Sequence, residues 1–280
     1  MTALQRAAAF ALLAAASFAL MGSLIKFATA ELNNPMVVVL RNAFGLLVLA
    51  PWLFRHPLNR LATARPGMHL LRCVIGLSAM YCFFFAIGEL PLATAMLFNY
   101  ATPLYVPLIA WLWLGEKPAW RLLPIVLLGF AGVALILRPG GDSFADWAGL
   151  VGLGAGVLAA AAFVSIRRLS RTEPPLRIVF WFTSLSLGLS LLPLFWAWQT
   201  PSAGALGLMA GAGLCASGGQ LALTRAYSLA PAAQVAPFNY LVVLFAAGLG
   251  WLIWQEVFDP LSIIGALLVI GSSLLALRRR

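Results

Sequence analysis

Two Asn-Tyr pairs carry much of the polar chemistry inside an otherwise apolar chain. Asn99-Tyr100 lies in the run Leu90–Glu116, and Asn239-Tyr240 lies in Ala230–Glu256, 140 positions further on in a chain of 280 residues. An amide and a phenol supply both donors and acceptors. Where water is scarce they can hold a polar ligand, or they can hold a neighbouring helix, and both readings stay open. Arg41, set inside an apolar segment, can receive a carboxylate through its two-pronged fork; it can also snorkel to the surface. An arginine at such a position is a functional candidate by default. Tyr81 belongs to a set with Phe83, Phe84, Phe85, Tyr105, Trp181 and Tyr227, which can line a pocket for an apolar or aromatic group or serve as packing. The candidate substrate-binding residues are therefore Asn99, Tyr100, Asn239, Tyr240, Arg41 and Tyr81.

The elements that must position these residues follow from composition. Hydrophobic residues make up 62% of the chain and charged residues 9%, against about 25% charged in a soluble domain. Such a chain cannot clothe itself in polar surface, so its solvent is lipid. The net charge of +10 sits at the ends of apolar runs and not on a polar domain, which argues against nucleic acid as a partner. Ten apolar segments have roughly the length a bilayer requires: 7–25, 36–54, 73–88, 91–114, 122–137, 147–166, 178–198, 203–224, 232–254 and 261–277. With the N-terminus inside, all but Lys26, Arg41 and Arg138 of the 18 lysines and arginines fall on the cytoplasmic side, as the positive-inside rule demands. In this reading Arg72 and His69 belong to the cytoplasmic loop before the third segment.

The match between the Asn-Tyr runs extends to Pro91 with Pro231, Phe98 with Phe238, Trp111-Leu112 with Trp251-Leu252, and Glu116 with Glu256. Self-similarity at a fixed period marks a repeat. Five segments per repeat is an odd number, so the halves 1–140 and 141–280 cross the membrane in opposite senses. The expected fold is an all-α membrane protein of ten transmembrane helices in two inverted five-helix repeats, N-in and C-in, around a central cavity. Such inverted repeats build secondary transporters with a midplane site. Pro103, Pro107 and Pro237 each remove a helical hydrogen bond and favour kinks beside the Asn-Tyr pairs. Gly152–Gly156 and Gly207–Gly211 have the small-xxx-small spacing of close helix contacts.

Other classes lack their residues. No P-loop is present, no carboxylate stands mid-segment, and no His/Asp/Glu cluster suggests a metal, so no cofactor is expected. Cys73, Cys82 and Cys215 show no CxxC spacing and indicate no disulfide. An enzyme acting on membrane lipid would need an acid, base or metal constellation that the sequence does not offer.

The runs Ala86–Glu116 and Ala226–Glu256, with their closing turns Leu114-Gly115-Glu116 and Trp254-Gln255-Glu256, resemble the drug/metabolite transporter superfamily, EamA type. The resemblance implies a basket-shaped bundle in a bacterial inner membrane, with segments five and ten apart from the cavity and available for homodimer contacts. It implies secondary or facilitated movement of small metabolites, frequently amino-acid export. Aromatic or apolar amino acids are the first expectation for cargo, and uptake of a vitamin or nucleoside-like metabolite is the alternative. Gln255 stands where the family pattern has glycine, so the two turns are not equivalent.

Overall fold

The computed structural model describes residues 2–55, 61–89, 98–116, 120–137, 147–255 and 260–278, and no strand occurs among them. The principal helices are α1 (Ala3–Ala28), α2 (Asn34–Arg55), α3 (Pro66–Glu89), α4 (Thr102–Leu114), α5 (Leu123–Leu137), α6 (Trp147–Leu169), α7 (Pro175–Ser190), α8 (Ala203–Leu229), α9 (Leu241–Trp254) and α10 (Pro260–Arg278). Seven helical stretches among the described residues are long and apolar enough to cross a membrane. The protein is a multi-pass membrane protein.

Side chains are sorted by size more than by polarity. On α1, Ala7, Ala8, Ala11, Ala14, Ala15 and Ala19 are buried, while Leu12, Leu13 and Leu20 are exposed. Lipid tails are as apolar as leucine, so hiding leucine from them gains nothing, and association depends on close packing of small residues. One such tight crossing joins α5 to α10. A methyl group added at Gly132 would lie 2.6 Å from the Gly265 carbonyl oxygen, and one added at Gly265 would lie 2.6 Å from that of Gly132. The crossing of α2 with α8 is similar: Gly213 has no room for a side chain against the Gly45 backbone, and Ser217 Oγ donates to the Gly45 carbonyl at 2.8 Å.

The main pairings are α1 with α8 and α9, α6 with α3 and α4, α8 with α2, α3 with α7, α2 with α7, and α5 with α10. Advancing every partner by five helices maps this set onto itself: α1–α8 becomes α6–α3, α1–α9 becomes α6–α4, and α2–α8 becomes α7–α3. The arrangement is consistent with a two-repeat fold.

Several boundaries differ from the sequence expectation. The third segment begins at Pro66, not Cys73, because proline is well suited to a helix's first turn. His69 and Arg72, expected in a loop, are thereby helical and buried. The seventh segment is expected to reach Trp198, but α7 ends at Ser190. Pro193 then opens a single turn, Leu194–Ala197, which bears exposed Phe195 and Trp196. The ninth segment is broken rather than continuous: one α-turn (Ala232–Val235), a 3-10 stretch (Ala236–Tyr240) and then α9. Pro237, with no N–H to donate, sits in the 3-10 stretch. Residues 91–97 of the fourth segment lie outside the described residues, as do Lys117, Arg138 and Glu256. Gly152 and Gly156 do serve close contact, against the Phe98 ring and carbonyl, whereas nothing lies within 4 Å of a methyl group built at Gly207.

Gly132→Ala should force α5 and α10 apart and destabilise the protein by about 1–3 kcal/mol, despite alanine's better helix propensity. Gly22→Ala, where nothing lies within 4 Å, should be neutral or stabilising. Thermal unfolding of the two variants in detergent checks this.

Candidate functional site

A small, partly open cavity lies where α2 meets α7 and α8, lined by Arg41, Asn42, Gly45, Phe182, Thr183, Ala216, Ser217 and Gln220. Its first wall comes from the N-terminal half of the chain and the others from the C-terminal half. Arg41 is 8% exposed and Asn42 2%, and Arg41 NH1 donates to Asn42 Oδ1 at 3.0 Å. Arg72 of α3 is 3% exposed and stacks on the Phe182 ring, its guanidinium carbon 4.0 Å from the ring centre. Phe182 thus has Arg72 on its face and also borders the cavity that holds Arg41. Gly76, one turn beyond Arg72, makes this seat possible. A methyl group there would collide with Arg72 NH1 and lie 3.1 Å from Phe182.

Polar atoms around these helices lack partners. Asn42 Nδ2, Arg72 Nε and NH1, both ring nitrogens of His69, and the hydroxyls of Tyr81, Ser184 and Thr224 are buried with no hydrogen bond. A buried polar group without a partner costs about 1–3 kcal/mol, more when charged. Of these residues, Asn42 lines the cavity and Arg72 lies against Phe182, which borders it.

The residues expected from sequence divide between two places. Arg41 is in the cavity wall. Tyr240 is fully buried and donates to the Val126 carbonyl of α5 at 3.1 Å. Asn239 donates from Nδ2 to the Tyr227 hydroxyl at 3.0 Å. Asn99 and Tyr100 are half-buried, next to the break at Ala101, where Thr102 Oγ1 lies 2.5 Å from the Asn99 carbonyl oxygen. The cavity around Arg41 includes none of these four, nor Tyr81. Arg72 was not singled out from sequence. Pro66 was the available signal, since it starts a helix and places Arg72 nearly two turns inside it.

Carboxylates tie the helix ends on both sides of the bundle. Glu31, in the α1–α2 turn, accepts from Ser202 N and Ser202 Oγ, both at 2.7 Å, before α8. Asn33 beside it donates from Nδ2 to the Ala197 carbonyl at 2.9 Å. Glu173, in the α6–α7 turn, accepts from Thr63 Oγ1 at 2.6 Å and pairs with Arg177 NH1 at 2.5 Å; Trp181 Nε1 donates to the Leu61 carbonyl nearby at 2.9 Å. The two clasps correspond when the helices are advanced by five. A third network centres on Glu116 after α4. Its Oε1 accepts from Arg167 Nε at 3.1 Å and its Oε2 from Ala232 N at 3.1 Å. Arg167 NH1 also reaches the carbonyls of Tyr227 and Ser228 at 3.1 and 3.2 Å. Glu116 therefore binds the ends of α4, α6 and α8 to the start of the broken helix. The two closing turns share the left-handed conformation and differ in the residue that adopts it. Gly115 is left-handed at φ 67° at little cost, while Gln255 holds φ 57° against a penalty of about 1–2 kcal/mol.

A helical membrane bundle with a buried arginine in a small cavity between its halves, and with clasps at its ends, is consistent with the construction of a secondary transporter. The chain belongs to the EamA-like transporter family, whose model matches residues 5–138 and 146–278. It is similar to the pseudopaline exporter of Pseudomonas aeruginosa, 36% identical over 93% of this chain and 92% of that protein. It is also similar to the riboflavin transporter of Vibrio cholerae, 27% identical over 93% and 89%, and to the S-adenosylmethionine uptake transporter of Rickettsia felis, 26% identical over 89% and 84%. A solved crystal structure shares the fold, with a TM-score of 0.82 over 99% of each chain at 19% identity. The chain is a transporter and not an enzyme.

Two outcomes follow from this geometry. The bonds from Ser202 hold the Glu31 carboxyl below the ordinary carboxylate range. For Glu173, burial pushes the value up, but the bonds from Thr63 and Arg177 and the nearby positive charge outweigh it, so it too is lowered. A lowered folded-state pKa contributes stability that is full above the unfolded value and is lost as pH falls through the folded one. Thermal stability should therefore drop through the acid range, and the double variant Glu31→Gln, Glu173→Gln should drop less steeply there. Second, Gly76→Ala should move the Arg72 guanidinium off its seat without removing its charge. It should weaken apparent affinity for transported cargo about tenfold in counterflow while leaving the unfolding temperature within a few degrees.

Proposed function

We propose that the protein is a secondary or facilitative transporter that carries a small polar metabolite across a bacterial inner membrane by alternating access. Residues 1–140 and 141–280 act as the two inverted repeats, each of five transmembrane helices, with both termini in the cytoplasm. The observation that carries this reading is the buried Arg41 in the wall of a small cavity between α2 of the first half and α7 and α8 of the second. Rocking one repeat against the other opens this cavity to either side. The clasps at Glu31 and Glu173 and the Glu116–Arg167 pair make and break at the ends. Arg41 takes a carboxylate. Tyr81, Asn99 and Tyr100 contact cargo along the open paths, while the bonds of Tyr240 and Asn239 suit them to the moving joint beside the broken helix. Helices α5 and α10, at the rim, offer a homodimer contact.

An amino acid or amino-acid-like metabolite, moving outward, is the cargo this reading favours. A carboxylate acceptor is present in the cavity, and the pseudopaline exporter is among the similar proteins. Uptake of a vitamin or nucleoside-like metabolite is the second reading, supported by the similarity to riboflavin and S-adenosylmethionine transporters. Counterflow in proteoliposomes against a panel of amino acids, riboflavin and S-adenosylmethionine decides between them. The expected result is exchange of a carboxylate-bearing solute, with Arg41→Gln weakening it about 10- to 100-fold, as loss of a charge-assisted bond of roughly 1.5–3 kcal/mol implies. Exchange of riboflavin alone would favour uptake of a vitamin. No exchange of any solute by folded protein would remove the transport mechanism proposed here.

A further inference from the structure

Among the described residues, the cavity has two cations near it and no anion in its lining. Arg41 borders it directly, and Arg72 stacks on Phe182, which also borders it. Both arginines are more than nine-tenths buried, and Phe182 links them, lining the cavity with Arg41 and carrying Arg72 on its face. The described carboxylates are all engaged or remote. Glu31, Glu116 and Glu173 are bonded at helix ends, and Glu89 is exposed at the end of α3. Among the described residues, Arg41 has only the neutral Asn42 as a side-chain bonding partner, and Arg72 has only an aromatic face, with Nε and NH1 unbonded. One uncompensated buried charge costs several kcal/mol, and a second of the same sign nearby adds repulsion. A resting structural core has no use for such a pair. A site whose ligand brings the missing negative charges does.

From this we infer that the cargo is a small dianion carrying two carboxylates, one for the fork of Arg41 and one for that of Arg72. The inference rests on the transport reading above and narrows its cargo. The two forks stand on different helices, Arg41 the eighth residue of α2 and Arg72 the seventh of α3. Two separated planar groups suit that arrangement better than one compact phosphate. Asn42, Thr183, Ser217 and Gln220 add neutral donors and acceptors around the space between, which suits an amine or hydroxyl on the ligand's backbone. Aromatic and apolar amino acids, the first expectation from sequence, leave one arginine unanswered.

The test uses purified full-length protein in low-chloride buffer. Thermal unfolding is followed with aspartate, glutamate, succinate and glutarate, with alanine, phenylalanine and acetate, with glycerol phosphate, and with riboflavin. The expected result is stabilisation by the dicarboxylates at concentrations at least tenfold below those needed for the monocarboxylates, abolished in Arg41→Gln and in Arg72→Gln. Each variant without ligand should unfold at the same temperature as the wild type or higher, because an unpaired buried charge has been removed. Arginines with a purely structural role would give variants that unfold earlier. Should either glutamine variant fail to fold, the corresponding lysine variant keeps the charge and should retain dicarboxylate stabilisation at reduced affinity. Preference for glycerol phosphate, for riboflavin or for a monocarboxylate would overturn the inference, as would a dicarboxylate response intact in both glutamine variants. Counterflow separates this from the transport reading. Exchange of a neutral solute that ignores both substitutions refutes the dianion and keeps the transporter. Dicarboxylate binding without exchange of any solute supports the site and refutes alternating-access transport.

Discussion

Lipid gives a leucine on the outside of a helix nearly everything that a protein core would, so this bundle cannot be held together by hiding large side chains. What remains is contact between backbones. Gly132 with Gly265 and Gly45 with Gly213 bring helices close enough that a single methyl group would not fit, and the alanine face of α1 does the same against α8. Large residues are displaced outward, which is why so many leucines and tryptophans are exposed on the helices. A bundle of this kind has smooth, shallow interfaces. Helices with small faces can slide or rock without pulling long side chains out of deep holes, and motion of that sort is what alternating access asks of them.

With the apolar surfaces nearly neutral, the polar groups decide which arrangement is held. They occupy two levels. At the helix ends, Glu31, Glu116 and Glu173 gather hydroxyls, arginines and backbone N–H groups into short bonds, in or near water, where making and breaking them is cheap. Deep among the helices, Arg41, Arg72, Asn42 and His69 are poorly bonded or unbonded, where the same deficiency is costly. Bonds satisfied at the rims and missing in the middle are what the proposed binding site and its latches require.

How far the sequence reached depended on the kind of signal. Apolar length and the placement of arginines gave an all-helical membrane bundle, and the 140-residue match pointed to paired halves. Pro237 marked a break that the structure places at Ala236–Tyr240. The Asn-Tyr pairs were conspicuous because polar letters are rare in the chain, but rarity does not distinguish a ligand contact from a helix-to-helix bond. Tyr240 bonds the Val126 carbonyl and Asn239 bonds Tyr227, contacts that only the three-dimensional packing reveals. Arg72 was lost for the opposite reason. Window hydropathy ends a segment at the first charge, and Arg72 adjoins the apolar run that begins at Cys73, so it reads as loop. The cost of burying it is what makes it informative, and that cost is invisible until α3 is seen to start at Pro66.

The scaffold repeats, but the charge does not. In the 140-residue register Arg41 corresponds to Trp181 and Arg72 to Ala212. Both cations therefore belong to the first half, while Phe182, Thr183, Ser217 and Gln220 on the facing wall belong to the second and are neutral. A cargo bonded to the arginines is carried by one half and brushed by the other. As the halves rock, the charge-assisted bonds can stay intact while only the neutral contacts change, so the electrostatic part of binding need not be surrendered midway across the membrane. Two symmetric half-sites would divide the cargo's charge between walls that move apart, and each exchange of access would strain one of the bonds. In the proposed cycle a symmetric frame would make inward and outward shapes similar in energy, and placing both charges on one side of it would let a bound anion pass between those shapes without leaving its partners.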